Sequence, residues 1–211
     1  MYKITFVSTV HEENGKCNTD ELYKILEKVN PEVIFLEALD DTYSNYEKMV
    51  FSSFGVYHRK LEIRAIQKFC LNNSCEYIPV LDNGLSDSFE RKYDKVCQYR
   101  EIQELIDNFN FLASEYGFNF LNSIESINHQ DQMRILESKL SINPELELDF
   151  NLDIDEYENS MMRNIYSYCK NNKFNSAIFM CGVAHRKSII EKIEKFSAHE
   201  HVNINWVVYE N

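Results

Sequence analysis

Glycine and proline are scarce in this sequence of 211 residues, with 5 and 3 copies, and this scarcity excludes long disordered linkers. No apolar run approaches the roughly 20 residues of a membrane-spanning helix, and the first residues lack the pattern of a signal peptide. The six cysteines form no CxxC pair, so we expect reduced thiols in a cytoplasmic protein that neither enters nor crosses a membrane.

Positive charge is also in short supply. There are 22 Lys and Arg residues against 34 Asp and Glu residues, which gives a formal net charge of −12. This balance argues against a partner that is a nucleic acid or an anionic membrane surface. Hydrophobic residues make up 44% of the chain, enough for a core, and the length suits a single α/β domain over 1–211.

Five short segments rich in β-branched and aromatic residues alternate with segments of helical periodicity. The pattern predicts an α/β fold with a mostly parallel central sheet of about five strands flanked by helices. The short connection between the first two strands predicts that they are parallel neighbours. Pro79 places the third strand at an edge or a strand end. The predicted strands are Lys3–Val7, Val33–Leu36, Tyr77–Leu81, Ala177–Cys181 and Val202–Tyr209.

A helical insertion is predicted between the third and fourth strands. Apolar residues recur there at spacings of three and four, which predicts two or three helices over 86–142. We expect residues 146–155 to form an acidic loop and residues 155–171 to form a helix. Residues 40–54 are predicted as a loop with a short helix.

Four predicted strands end in a polar side chain: His11, Glu37, Asp82 and His185. The carboxyl ends of parallel strands lie at one edge of a sheet, and ligands bind in the crevice outside that edge. His11, Glu37 and His185 together have the chemistry of a divalent metal site for Mn, Co or Zn, with a position left for water. Alternatively, Glu37 orients a histidine that acts as general base without a metal.

The candidates other than Glu37 also have a plainer explanation, whereas a carboxylate at the end of a buried strand needs a partner. A single histidine near a turn is more often a surface or capping residue, and Asp82 precedes a turn that it is well suited to build. Arg163, on a predicted helix, is explained equally by a surface arginine whose stem covers apolar neighbours. The acidic run Asp153–Glu158 is predicted to be a solvated face, with the alternative that it rims a cleft.

The order of these motifs resembles the TraB/GumN/Tiki family, which is related to the erythromycin esterase and ChaN-like superfamily. Two segments are similar to the family's Gly-x-x-His motifs, Ser8-Thr9-Val10-His11 and Gly182-Val183-Ala184-His185. The segment from Pro31 to Glu37 matches the family's second strand, and Arg163-Asn164 matches a pair in its late helix. The sequence departs from the family at Ser8, Met162 and Asn83, where the family has Gly, Glu and Arg.

The resemblance implies metal-dependent hydrolysis of a peptide bond, or ester hydrolysis by histidine and glutamate without an obligatory metal. The matching functional residues would be His11, Glu37, Arg163 and His185, with Asp82 as a further candidate. We therefore expect a hydrolase acting on a peptide or a small molecule, in which Arg163 stabilises an oxyanion or a substrate carboxylate. The alternatives are a non-catalytic ligand-binding or regulatory module that uses the same cleft, and a haem or metal carrier.

Overall fold

A five-stranded, all-parallel sheet forms the centre of the computed structural model, which describes residues 2–39, 60–140 and 144–210. The strand order is β3-β2-β4-β1-β5. This confirms the predicted α/β fold with a parallel sheet. The predicted loop and short helix over 40–54 lie outside the described residues. The strands are β1 Tyr2–Thr9, β2 Val33–Leu39, β3 Glu76–Leu81, β4 Ser176–Gly182 and β5 Ile204–Val208.

The strand order corrects one prediction. β1 and β2 are not neighbours, because β4 lies between them and pairs with both. β4 is the strand best suited to the centre, since residues 177–181 are all fully buried and an apolar run fits a strand covered on both faces. β3 is an edge strand, as Pro79 predicted, and the residue without an N–H lies where one side of the ladder is open.

Helices cover both faces of the sheet. α1 and α2 pack on one face, together with apolar residues of α4 and α5. α7 and α8 pack on the other face. The helices are α1 Thr19–Val29, α2 Leu61–Cys70, α3 Asp87–Val96, α4 Arg100–Tyr116, α5 Phe118–Leu121, α6 Ile124–Leu140, α7 Pro144–Asn171 and α8 Arg186–His199.

Four helices, α3 to α6, lie between β3 and α7, where two or three were predicted. We call residues 87–140 the central helical segment. The predicted acidic loop over 146–155 is wrong, because these residues belong to α7, which has 28 residues. Pro144 begins α7, which is consistent with the freedom of proline in the first turn of a helix.

The described cysteines differ from the expectation that all six are thiols. Cys70, at the end of α2, is joined by a disulfide to Cys75, just before β3. Cys17, Cys97, Cys169 and Cys181 are free.

Candidate functional site at the carboxyl edge of the sheet

Three of the predicted site residues come from adjacent strands. Thr9 of β1 pairs with Gly182 of β4, and Leu36 of β2 pairs with Met180 of β4. His11 follows β1 by two residues, Glu37 lies in β2, and His185 ends the short 3-10 turn Val183–His185 after β4. The all-parallel register therefore directs these three residues to one edge of the sheet, as predicted.

Glu37 is buried, with 8% of its side chain exposed, and both of its oxygens accept hydrogen bonds. Oε1 accepts from the Tyr157 hydroxyl at 2.6 Å, and Oε2 accepts from the Gly182 backbone N–H at 2.6 Å. Burial alone would raise the pKa of Glu37, but the His185 charge and these two donors outweigh burial and lower it. Glu37 is thus held as a carboxylate.

The glycine after β4 makes room for this carboxylate. A Cβ atom at Gly182 would lie 3.2 Å from Oε2 of Glu37, closer than ordinary van der Waals contact. The glycine of the second Gly-x-x-His motif therefore serves a close approach between its backbone and Glu37.

His185 lies between two carboxylates. Its Nε2 is 3.6 Å from Oε1 of Glu37, and its Nδ1 donates to Oε1 of Glu158 at 2.8 Å. Its ring stacks on Tyr157 with a centroid separation of 5.4 Å. Burial lowers the pKa of His185, but the two glutamates outweigh burial, so the net pKa is raised and the imidazolium is favoured.

Glu158 is the buried partner that holds this imidazolium. It is 1% exposed, and the predicted solvated face is therefore wrong at this position. Its Oε2 accepts a hydrogen bond from Ser188 and lies 3.8 Å from Nζ of Lys192, which also binds Asp155. Two cations, His185 and Lys192, therefore face this one carboxylate, which is what a buried charge requires.

His11, like His185, is bound through its Nδ1 to a buried glutamate, which here comes from the helix α2 on the other face of the sheet. Its Nδ1 donates to Oε1 of Glu62 at 3.0 Å, and the Thr9 hydroxyl donates to the same oxygen at 2.9 Å. Glu62 is 2% exposed, and its Oε2 has no hydrogen-bond partner in the described part of the chain. The bond to Glu62 is the largest cause of the raised pKa of His11, and the charge of Glu37 adds to it.

His11 differs from His185 in its exposure. Its side chain is 49% exposed, against 12% for His185. Among the described residues, only Nδ1 of His11 is engaged in a hydrogen bond. The half-exposed imidazole of His11 is therefore more open to solvent than that of His185.

Arg163 and Asp82 lie together but apart from the histidines. Arg163 is 47% exposed and binds Glu156, and its Nη2 is 3.7 Å from Oδ2 of Asp82. Asn164 donates to Oδ1 of Asp82 at 2.8 Å. No hydrogen bond or ion pair within the described ranges connects Arg163 to Glu37 or His185. The predicted Arg163 and Asp82 thus form a separate pair at the end of the edge strand β3.

The serine that replaces glycine in the first motif has its own partners. The Ser8 N–H donates to Oδ1 of Asn122 at 2.8 Å, and Arg186 donates to the Ser8 hydroxyl at 3.2 Å. Arg186 is 2% exposed and also binds Oδ1 and the carbonyl of Asn122 and the carbonyl of Tyr209. This network ties the first turn to the residue directly after His185.

Sequence reasoning missed Glu62, Glu158 and Tyr157. Glu62 stands inside the apolar segment that begins at Leu61, and a carboxylate among buried positions was the available signal. Glu158 was missed because it belongs to an acidic run, and nothing in the sequence distinguishes it from the acidic residues before it. Tyr157 carried no signal of its own.

A cavity of about 650 Å³ adjoins His185. Residues of the central helical segment line most of it, and the remaining wall comes from Leu85, from α7 and from the turn and helix after β4, including Glu158, His185 and Ser188. Glu37 is not among its lining residues. His185 therefore forms the boundary between the cavity and the Glu37 side of the edge.

The predicted metal ligands do not gather into a ligand set of three. Within residues 2–39, 60–140 and 144–210, no group of three or more His, Cys, Asp or Glu side chains is placed to hold a metal ion. Glu37 and His185 supply two donors, whereas catalytic zinc commonly uses three protein ligands. The divalent metal stays a prediction.

Searches for similar proteins found no matching family model, no matching curated protein and no matching solved structure. In the part of the chain that the structure describes, no helix combines the length and the apolar character needed to cross a membrane. The fold and the site thus define an α/β protein with two histidine–glutamate pairs around a buried carboxylate.

Proposed function

We propose that this chain is a hydrolase that attacks an ester or peptide carbonyl with water at the edge formed by His11, Glu37 and His185. One observation carries the proposal. The buried imidazole of His185, fixed by Glu158, lies 3.6 Å from the buried carboxylate of Glu37 and on the wall of a cavity. Paired titratable groups with opposed pKa shifts in a cleft are typical of acid–base sites.

His11 is the general base in this proposal. Its Nδ1 is oriented by Glu62, which leaves Nε2 to take a proton from water. The water oxygen adds to the carbonyl carbon to give a tetrahedral intermediate, and the bond to the leaving oxygen or nitrogen breaks when that intermediate collapses to the acid. The raised pKa of His11 means that its base form increases as pH rises above 6.5, so the rate should rise with pH until His185 loses the proton that it must donate.

His185 is the acid. As an imidazolium it stabilises the negative charge that develops on the carbonyl oxygen and then gives its proton to the leaving group. Glu37 and Glu158 keep the proton on His185 until that point. The proton taken by His11 and the proton lost by His185 balance the addition of one water.

The test is a screen of chromogenic esters and a peptide mixture with matched histidine variants. His185→Asn should lower kcat/KM by about a hundredfold or more, because it removes the acid. His199→Asn is the control, since His199 is exposed and its Nδ1 bonds to the Lys195 carbonyl of its own helix. Equal activity in both variants would contradict the proposal.

Elemental analysis tests whether the protein binds a divalent metal. Stoichiometric Mn, Co or Zn in the wild type, lost in His11→Ala/His185→Ala, would support a site held by His11, Glu37 and His185. If neither protein contains metal and these ions do not activate the wild type, the metal-free acid–base mechanism would be favoured.

The cavity favours a second candidate, a ligand-binding or regulatory module. Its 650 Å³ lies within the range of small-molecule sites, and most of its wall is remote from Glu37. Ligand binding that is equal in wild type and His185→Asn, with no turnover by either protein, would favour this function.

We keep membership of the TraB/GumN/Tiki family and a cytoplasmic location as parts of the proposal. The four free cysteines support that location, whereas the bond between Cys70 and Cys75 argues against it. Cell fractionation tests the location directly.

A further inference from the structure

We propose that the cavity beside His185 binds an amphiphilic organic acid or its ester, with the carboxyl group at Arg134 and His185 and the apolar part between α3, α4 and α6. This inference names the substrate class of the proposed hydrolase and rests on that function. It favours a small apolar acyl compound over an extended peptide.

The wall away from His185 belongs largely to the central helical segment, where apolar side chains lie beside the polar residues Asp94, Gln130, Glu137 and Ser138. A volume of about 650 Å³ accommodates a ligand the size of a medium-chain acyl compound. Side chains from α3, α4 and α6 meet there, so the apolar part of a ligand would contact all three helices. The apolar lining residues are Phe89, Tyr93, Val96, Ile102, Ile106 and Met133.

Arg134 supplies the cation at the polar end. It lines the cavity from α6, and its guanidinium donates to the carbonyl of Ala184, next to His185. Within the described ranges no carboxylate forms an ion pair with Arg134. A guanidinium without an anionic partner at the opening of an apolar cavity is suited to a ligand carboxylate.

The acidic lining residues do not cancel this preference. Asp155 is bound by Lys192, and Glu158 faces both Lys192 and His185. Asp94 and Glu137 lie near Tyr93: burial raises the pKa of Tyr93 to about 12, and the charges of these two carboxylates add to that shift. Tyr93 belongs to the apolar wall, so an anion is directed away from that wall and toward Arg134 and His185.

Calorimetric titration with three probes tests the ligand class. Octanoate has an anionic head and an apolar chain, octylammonium reverses the charge, and acetate lacks the chain. Octanoate should bind at least about tenfold more tightly than either of the others. If octylammonium binds as tightly as octanoate, the acidic lining residues, not Arg134, determine which ligand charge is accepted, and the proposal is overturned.

Variants locate the binding. Ile106→Trp and, independently, Met133→Trp fill the cavity from two helices and should weaken octanoate binding by about tenfold or more. Arg134→Gln should remove the preference for octanoate over octylammonium. The matched control is Ile135→Trp, because Ile135 is 56% exposed and does not line the cavity. Unchanged octanoate binding in folded cavity variants, judged by circular dichroism, would overturn the proposal.

Hydrolysis of p-nitrophenyl octanoate and p-nitrophenyl acetate separates the two proposals. Octanoate binding without hydrolysis of either ester by the wild type would contradict the hydrolase and leave the ligand class standing. Equal hydrolysis of both esters, unaffected by Ile106→Trp and Met133→Trp, would support the hydrolase and overturn the cavity as its acyl site.

Discussion

Replacing Glu158 by Gln tests the central feature of the site without any knowledge of the substrate. Gln preserves the shape of the side chain and removes its charge. The pKa of His185 is raised in the folded protein above its ordinary value of 6.5, in part by the bond to Glu158. A histidine of this kind adds stability below pH 6.5, and that stability is lost as pH rises through the folded pKa.

The size of the effect follows from the contacts. The bond from the imidazolium to Glu158 is charge-assisted, and replacing it by a neutral bond costs about 1 to 2 kcal/mol. Lys192, which is 4% exposed, loses one of its two carboxylates as well. We therefore expect Glu158→Gln to lower the free energy of unfolding by about 2 kcal/mol at pH 6. The difference in unfolding free energy between wild type and Glu158→Gln should narrow as pH rises, by at most about 1.4 kcal/mol per pH unit.

Urea unfolding from about pH 5 to about pH 9 measures this difference. Glu156→Gln is the control, because Glu156 lies on the same helix with 68% of its side chain exposed. That variant should change stability by no more than about 1 kcal/mol, with no pH dependence above 6.5. Parallel pH curves for wild type and Glu158→Gln, or a loss no larger than that of Glu156→Gln, would refute a protonated His185 held by Glu158.

Three further predictions need only purified protein. Arg186→Met should lower the free energy of unfolding by about 2 to 4 kcal/mol, because the buried Asn122 carbonyl and the half-buried Tyr209 carbonyl lose their donor while a desolvated charge is removed. Urea unfolding measures this, and wild-type stability would contradict it. Gly182→Ala should lower the free energy of unfolding by about 1 to 2 kcal/mol, because the added Cβ meets Glu37. In the control Gly84→Ala the nearest neighbour is at 4.0 Å, so the change should stay within about 0.5 kcal/mol. Equal losses in the two variants would show that the close approach of Gly182 to Glu37 is unimportant. Thiol titration of unreduced, denatured protein should find two fewer thiols than after reduction, because Cys70 and Cys75 are joined; identical counts would contradict the disulfide.

The elements and the site were predictable to different degrees. α1 begins at Thr19, and the Asn18 side chain caps it by accepting from the Glu21 N–H, so this boundary depends on residues within one turn. The acidic segment at the start of α7 was mistaken for a loop, since its helix depends on packing elsewhere in the same 28-residue element. Arg163 was assigned to the site from the motif alone, and the structure instead pairs it with Asp82 and Glu156.

The sequence alone was sufficient for the strands and for the polar residues at their ends. Hydrophobic periodicity and turn residues act over a few positions, so they can be recognised from the sequence alone. Tertiary structure alone decided that β4 separates β1 from β2, that Glu62 holds His11 and Glu158 holds His185, and that a cavity adjoins His185. These partners lie 51 and 27 residues apart, and only the packing of helices on opposite faces of one sheet brings them into contact.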